Sequence, residues 1–200
     1  LLPPEKAGEE SLRRFEREVQ LTAQLTHPST VSIFDYGRTP LGIFYYAMEL
    51  LDGLNLAQLV TRDGPQPDGR VVRILTQVCG ALAEAHGVGL IHRDIKPANI
   101  ILSVRGGVAD VATVVDFGLV KQLDPGDGDL TQAVTASNVV TGTPLYVAPE
   151  VIKGDSAADA RSDLYAVGAV GYYLLTGLPV FEAKTVVEIF AHHLHTPPTP

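Results

Sequence analysis

The sequence has 200 residues, 46% of them hydrophobic, and it carries 15 Lys and Arg against 23 Asp and Glu, a formal net charge of −8. A chain of this length and hydrophobicity can bury one substantial core or two small ones, which excludes a disordered or fibrous protein. The excess of negative charge argues against binding to nucleic acid or anionic lipid through the overall field.

The apolar spacing along the chain predicts a mixture of helices and strands. The predicted elements are, in chain order, a helix at 10–26, antiparallel strands near 31–36 and 43–49, one or two helical turns at 54–60, a helix from Asp68 to Gly87, a strand pair around the turn at 105–107, and helices near 159–176 and 184–195. Residues 124–143 are polar and lack an apolar period, so they are predicted to form a long loop. Loops of this length inside compact domains are usually functional.

Two features of the predicted helices bear on the class of protein. Cys79, the only cysteine, is predicted to pack in the core, and the lack of a second cysteine agrees with a reducing cytoplasmic setting. The longest uncharged run, residues 164–181, approaches the length of a membrane span, but Gly177 and Pro179 interrupt it. We therefore predict a buried core helix in this run.

The stretch LIHRDIKPANIIL, at 90–102, places polar residues between two aliphatic runs. Asp94 and Asn99 lie within it, and Asp116 follows the apolar run VATVV. Such oxygen ligands suit Mg²⁺, which one or two protein carboxylates hold while substrate phosphates complete its shell. Phosphoryl transfer combines this metal with an ammonium group such as that of Lys96 and with a carboxylate that accepts the proton of the attacking hydroxyl. Each residue alone could form a turn or a cap, but the combination favours phosphoryl transfer.

Three motifs in order, HRDIKPAN at 92–99, DFG at 116–118 and APE at 148–150, resemble the serine/threonine protein kinase family, in particular its bacterial branch. The resemblance implies an α+β, protein-kinase-like two-lobed fold. It implies that the small lobe lacks its first strands and that the mainly helical large lobe lacks its last helices.

The resemblance also implies a division of the chain. A partial N-terminal lobe with one helix and two strands is expected at 1–49, a hinge at 50–54, and a partial C-terminal lobe at 55–200. The glycine-rich strand pair of the family is not found in the sequence, and neither is the strand lysine. Lys6, the only lysine before Glu18, does not match that lysine, because its setting is Pro-rich and charged. We expect the true lysine just upstream of position 1.

The family assigns roles to the polar residues singled out above. Asp94 would be the catalytic base, and Lys96 would contact the transferring phosphate. Asn99 and Asp116 would hold Mg²⁺, which makes Asp116 part of the nucleotide site as well. Glu18 corresponds to the helix glutamate that pairs with the ATP-binding lysine.

The family also implies a nucleotide pocket. Met48 would occupy the gatekeeper position, and the backbone from Glu49 to Leu51 would form the hinge that bonds adenine. Ile101 would pack under the adenine ring, with Asn55 near the ribose.

The resemblance implies a regulated activation segment. Arg93 would pair with a phosphorylated residue of this loop, with Thr135 and Ser137 as the candidates. Thr143 would line the pocket of the acceptor residue and, with Lys96, indicates serine/threonine specificity.

Two further acidic residues and an apolar spine have family counterparts. Asp163 would anchor the catalytic-loop backbone from a buried helix. Glu150 of the APE motif would pair with an arginine in a helix beyond the end of this sequence. His92 and Phe117, with Ile33, would belong to the internal hydrophobic spine.

The sequence therefore predicts a fragment of a cytoplasmic, ATP- and Mg²⁺-dependent serine/threonine protein kinase, with a protein substrate and no nucleic-acid partner. The fragment alone is expected to be inactive, and a membrane span outside it stays open. Two alternatives remain, a pseudokinase or scaffold that binds without turnover, and a small-molecule phosphotransferase. The intact Asp94, Lys96, Asn99 and Asp116 argue against the first, and Lys96, the long loop and APE argue against the second.

Overall fold

The computed structural model describes residues 9–40, 43–117, 143–154 and 159–200. Lys6, the two phosphorylation candidates Thr135 and Ser137, and nearly all of the predicted loop at 124–143 lie outside these ranges.

The first part of the chain forms a helix and a strand pair. Helix α1 spans Glu9–Thr22, and strands β1, Ile33–Arg38, and β2, Phe44–Met48, pair antiparallel. The predicted strand pair is confirmed. The helix ends earlier than its apolar pattern predicts, because the N–H groups of Gln24 and Leu25 bond the carbonyls three residues before them and so form tighter turns. After these turns, Glu84 of a later helix accepts hydrogen bonds from the backbone N–H groups of Thr26 and His27 at 2.9 and 2.8 Å.

The rest of the chain is mainly helical with one small sheet. Its elements are β3, Gly53–Asn55; α2, Leu56–Asp63; α3, Asp68–Gly87; a 3₁₀ turn, Pro97–Asn99; β4, Ile100–Arg105; β5, Val108–Val114; a second 3₁₀ turn, Thr143–Tyr146; α4, Pro149–Lys153; α5, Ala160–Thr176; and α6, Val186–His195. Strands β3, β4 and β5 form an antiparallel sheet in that order. The predicted strand pair and the long helices are confirmed, and β3 was not predicted.

The core lies between α3, α5 and the three-stranded sheet. The α3 residues of the predicted apolar face, Val71, Ile74, Val78, Leu82 and Ala85, are all buried. The core prediction for Cys79 is wrong, because this residue is exposed. It follows Val78 directly, and neighbouring residues on a helix point about 100° apart, so one faces the core and the next faces solvent.

Helix α5 confirms the predicted buried core helix within 164–181. It ends at Thr176, and Gly177 continues in the left-handed region with φ 76°. A left-handed glycine at this place satisfies the last helical carbonyls. In the part of the chain that the structure describes, no helix has the length and apolarity needed to cross a membrane.

The segment after α1 is attached to the large lobe by backbone bonds. Val31 N–H donates to Val114 O at 3.1 Å, and Val114 N–H donates to Ser29 O at 2.8 Å. Glu84 on α3 holds the preceding residues, as described above. The connection between α1 and β1 is therefore fixed to α3 and to the end of β5. The exact lobe boundaries at 49 and 54 stay a prediction.

Candidate active site

The loop from His92 to Asn99 collects the polar residues of the first motif. Lys96 Nζ lies 2.7 Å from Asp94 Oδ2. The Asn99 amide nitrogen donates to the same oxygen at 3.1 Å and to Asp94 O at 2.9 Å. The Pro97–Asn99 turn brings Asn99 back towards Asp94, because proline at its first position favours the required φ. The structure thus joins Asp94, Lys96 and Asn99 in one cluster.

His92 links this loop to the strand end before Asp116. The Asp94 N–H donates to His92 Nδ1 at 3.2 Å, so the proton of the neutral ring lies on Nε2, which is 3.0 Å from Val115 O. Burial lowers the pKa of His92, which favours this neutral form. The ring also packs on Phe117 with centroids 4.6 Å apart, and both residues are fully buried.

Asp163, on α5, holds the backbone of the same loop. Its side chain is 1% exposed. Its two oxygens accept hydrogen bonds from the N–H groups of His92 and Arg93, each at 2.9 Å. His86, at the end of α3, contributes a third bond at 2.8 Å. Sequence reasoning missed His86, since a histidine in the last turn of a helix is common for other reasons.

Asp116 sits in a strained backbone conformation between two buried neighbours. Its φ is 57°, in the left-handed region that a non-glycine residue rarely adopts. Such positions concentrate at functional sites because the surrounding structure has to hold them. Arg93, next to Asp94, shares this conformation with φ 64°. Val115, directly before Asp116, donates its N–H to Asn99 O at 3.0 Å. The backbone segments that carry the two metal-ligand candidates, Asn99 and Asp116, are therefore bonded to each other.

A tyrosine of the small lobe contacts Asp116. The hydroxyl of Tyr46, on β2, donates to Asp116 Oδ1 at 3.2 Å. Burial, together with the nearby charge of Asp116, raises the pKa of Tyr46 to about 12. The phenol therefore stays protonated at neutral pH and acts as a donor to the carboxylate. Nothing in the sequence around Tyr46 signals this contact.

The donor set fits Mg²⁺. The nitrogen of the Asn99 amide is used by Asp94, so its oxygen is the atom left to accept a cation, and Asp116 adds an exposed carboxylate. One carboxylate and one amide oxygen, with substrate phosphates, match the preference of Mg²⁺. Within the described ranges, no group of three His, Cys, Asp or Glu side chains could hold a metal by itself.

Glu18 meets a partner that the sequence did not predict. Its Oε1 lies 2.8 Å from Arg93 Nη1. From the sequence, Glu18 was expected to pair with a lysine and Arg93 with a phosphorylated residue. The contact joins α1 to the catalytic loop across 75 positions of sequence, a separation that carries no local pattern.

The candidate nucleotide residues lie around β2, β3 and β4. Met48 ends β2 and is 42% exposed. Glu49 Oε2 bonds Arg105 at 2.7 Å, and its backbone N–H donates to Ser32 O. Leu51 is half-buried before β3.

Asn55 and Ile101 face each other in the three-stranded sheet. They are partners in the register of β3 and β4. Asn55 also caps α2, because its Oδ1 accepts from Gln58 N–H at 2.8 Å. That oxygen is therefore engaged in the helix cap, whatever else the residue contacts.

The residues of the third motif lie near α5 and α6. Thr143 begins the 3₁₀ turn that leads to α4, and Glu150 lies in the first turn of α4. Among the residues that the structure describes, no salt bridge joins Glu150 to an arginine, and its expected pairing with one stays a prediction.

A β-strand pair lies beside a mainly helical lobe. The loop before β4 carries Asp94, Lys96 and Asn99, and Asp116 follows β5. This arrangement defines the two-lobed protein kinase fold. Residues 2–198 match the family described as "Protein kinase domain". The chain belongs to the protein kinase domain family.

Relatives and solved structures agree with this assignment. The chain is 43% identical over 194 residues to serine/threonine-protein kinase pkn3 of Myxococcus xanthus, a match covering 97% of this chain and 35% of that protein. It is 40% identical over 190 residues to serine/threonine-protein kinase PknB of Mycobacterium tuberculosis, covering 94% of this chain and 29% of PknB. The chain thus spans only 35% and 29% of the lengths of these relatives. A crystal structure of a double mutant of the Mycobacterium tuberculosis PknI kinase domain matches with a TM-score of 0.70 and 29% identity, over 100% of this chain and 66% of that one.

Proposed function

We propose that this chain carries the catalytic centre of an ATP-dependent serine/threonine protein kinase, which transfers the γ-phosphate of Mg-ATP to a protein hydroxyl. The observation that carries the proposal is the cluster in which Asp94 Oδ2 contacts Lys96 Nζ at 2.7 Å and the Asn99 amide at 3.1 Å. A carboxylate, an ammonium group and an amide are the groups that phosphoryl transfer uses. The names of pkn3 and PknB support a serine/threonine acceptor.

Each residue of the cluster has a role that its position supports. Asp94 accepts the proton of the attacking hydroxyl, and Lys96 neutralises charge on the transferring group. Asn99 and Asp116 hold Mg²⁺, which neutralises phosphate charge when bound. Asp163 acts through the backbone, because its hydrogen bonds hold the residues next to Asp94 in place.

The remaining candidates complete the proposal. Met48, the backbone from Glu49 to Leu51, and Ile101 form the adenine side of the nucleotide site, and Thr143 lies on the acceptor side. The lobes meet in a hinge at 50–54. The catalytic domain is cytoplasmic.

Arg93 is the proposed receiver of a phosphate on Thr135 or Ser137. A phosphate adds close to two negative charges and forms strong hydrogen bonds with a guanidinium group. Arg93 already bonds a carboxylate, that of Glu18, which supports its suitability for an anionic partner.

The test is ATP-dependent labelling of a generic protein acceptor by the full-length protein. Asp94→Asn should lower kcat by about 100-fold or more and leave the KM for ATP nearly unchanged, because it removes proton acceptance and keeps the nucleotide site. Asp35→Asn makes the same chemical change on an exposed position of β1 and serves as the control. An unchanged kcat in Asp94→Asn would remove Asp94 from the mechanism.

The same assay separates the two alternative functions. A pseudokinase would bind ATP without labelling any acceptor. A small-molecule phosphotransferase would consume ATP in the presence of its substrate and leave the protein acceptor unlabelled.

A further inference from the structure

We propose that Tyr46 is a positioning residue for Asp116, whose carboxylate it holds by one oxygen so that the other is left for Mg²⁺. The inference rests on the proposed function, because it assumes that Asp116 is a metal ligand. Its basis is the hydrogen bond from the Tyr46 hydroxyl to Asp116 Oδ1 at 3.2 Å.

The backbone of Asp116 is fixed on both sides, but its side chain is exposed. Before it, Val115 bonds Asn99 through its N–H and His92 through its carbonyl, both at 3.0 Å. After it, Phe117 is 1% exposed and packs on His92. These contacts set where the Cα of Asp116 lies and leave the carboxylate to rotate. Within the described part of the chain, Tyr46 is the side chain that bonds this carboxylate.

Tyr46 is well placed to fix a carboxylate. It lies within β2, opposite Tyr36 in the register of the strand pair, and its side chain is half-buried. A half-buried ring on a paired strand has few rotamers, so the hydroxyl is held in place before any ligand binds. The side chain of Asp116 is thus oriented by a residue of the small lobe, Tyr46, which lies 70 positions earlier in the chain.

The chemistry of metal ligands gives this contact a function. Ligating carboxylates are commonly held by hydrogen bonds from groups that do not touch the metal, and loss of such a group lowers metal affinity by about 10- to 100-fold. A tyrosine hydroxyl uses one lone pair of one oxygen, so the carboxylate keeps its charge and most of its acceptor capacity. The contact therefore orients Asp116 and does not neutralise it.

The experiment measures metal binding apart from turnover. In the full-length protein, Mn²⁺ binding to the ADP complex is followed by electron paramagnetic resonance, and ADP binding is measured separately in EDTA. Tyr46→Phe should weaken Mn²⁺ binding by about 10-fold or more and change the metal-free ADP affinity by less than about 2-fold. The matched control is Tyr45→Phe, which removes the neighbouring hydroxyl, bonded to Asp35 at 3.3 Å instead of Asp116. Tyr45→Phe should match the wild type in both measurements.

The outcomes separate this inference from the function on which it rests. Equal Mn²⁺ affinity in Tyr46→Phe and the wild type would overturn it, and so would tighter Mn²⁺ binding, which would mean that the hydroxyl competes with the metal. An equal loss of ADP affinity in EDTA would show a general structural role and would also overturn it. A wild-type protein whose ADP binding shows no metal dependence would overturn the proposed function itself.

Discussion

Replacement of Asp163 by alanine tests how the catalytic loop is held. The carboxylate is 1% exposed and accepts hydrogen bonds from the N–H groups of His92 and Arg93 and from the ring of His86. Each buried donor left without a partner costs about 1–3 kcal/mol, and the half-exposed Arg93 recovers part of this from water. We therefore expect Asp163→Ala to lower the free energy of unfolding by about 3–5 kcal/mol.

The same variant should also reduce activity, because two of the three bonds hold the loop backbone, which is strained at Arg93. A left-handed conformation such as that of Arg93 costs about 1–2 kcal/mol in a residue with a Cβ atom, so the loop relaxes when its anchor is lost. Relaxation at Arg93 displaces the adjacent Asp94, and kcat falls.

Urea unfolding and ATP-dependent labelling of the full-length protein measure the two effects. Asp159→Ala is the matched control, because it removes an exposed carboxylate at the start of the same helix, α5, without touching the loop. Its effect on unfolding should be smaller and its kcat unchanged. A loss below about 0.5 kcal/mol in Asp163→Ala, the range of ordinary surface substitutions, together with a wild-type kcat, would refute the reasoning.

Two further predictions concern stability. Gly80→Ala places a Cβ atom 2.6 Å from His27 Nε2, so the imidazole ring has to move. Gly69→Ala, on the same helix with no atom within 4 Å, has only the gain in helix propensity, so Gly80→Ala should be less stable than Gly69→Ala by about 1–3 kcal/mol in urea. Equal effects of the two substitutions would contradict this reasoning. Burial lowers the pKa of His193, so as pH falls the unfolded chain, with its ordinary histidine pKa near about 6.5, takes up the proton first. Neutral His193 therefore contributes its full stabilisation above about pH 6.5, and this stabilisation is lost as the pH falls below that value. The melting temperature should fall between about pH 7.5 and 5.5, and His193→Gln should make this fall smaller. A fall in melting temperature as large in His193→Gln as in the wild type would exclude His193 as its cause.

The parts of the fold that the sequence predicted well are those set by local pattern. Helix α3 has the predicted bounds Asp68–Gly87, because its apolar face repeats over many turns and glycine follows the last of them. Strand β3 was missed, since its three residues are too few for an alternating pattern and its partner β4 begins only at Ile100. Cys79 was misplaced because an apolar residue beside a buried face looks like a member of it.

In the candidate site, too, the sequence predicted the contacts within one local motif and missed those between distant residues. Asp94, Lys96 and Asn99 lie on one short loop, so a local motif was enough to predict that they come together. The contacts of Tyr46 with Asp116 and of Glu18 with Arg93 join positions 70 and 75 residues apart. No fixed spacing in the sequence predicts either contact, because each forms only when the small lobe packs on the large lobe. Only the three-dimensional structure reveals them.

The attachment of the segment after α1 to the large lobe gives that helix a pivot. Thr22, the last residue of α1, is buried, and Glu84 bonds the backbone of Thr26 and His27 just after it, so a tilt of this helix, 14 residues and about 21 Å long at about 1.5 Å per residue, would turn about this end. A tilt of about 10° about this point displaces the start of the helix by nearly 4 Å but Glu18 by only about 1 Å, since Glu18 lies one turn from the pivot. Rotation of the helix about its own axis, by contrast, swings the Glu18 carboxylate around the circumference. Rotation, more than tilt, is therefore the motion that would separate Glu18 from Arg93.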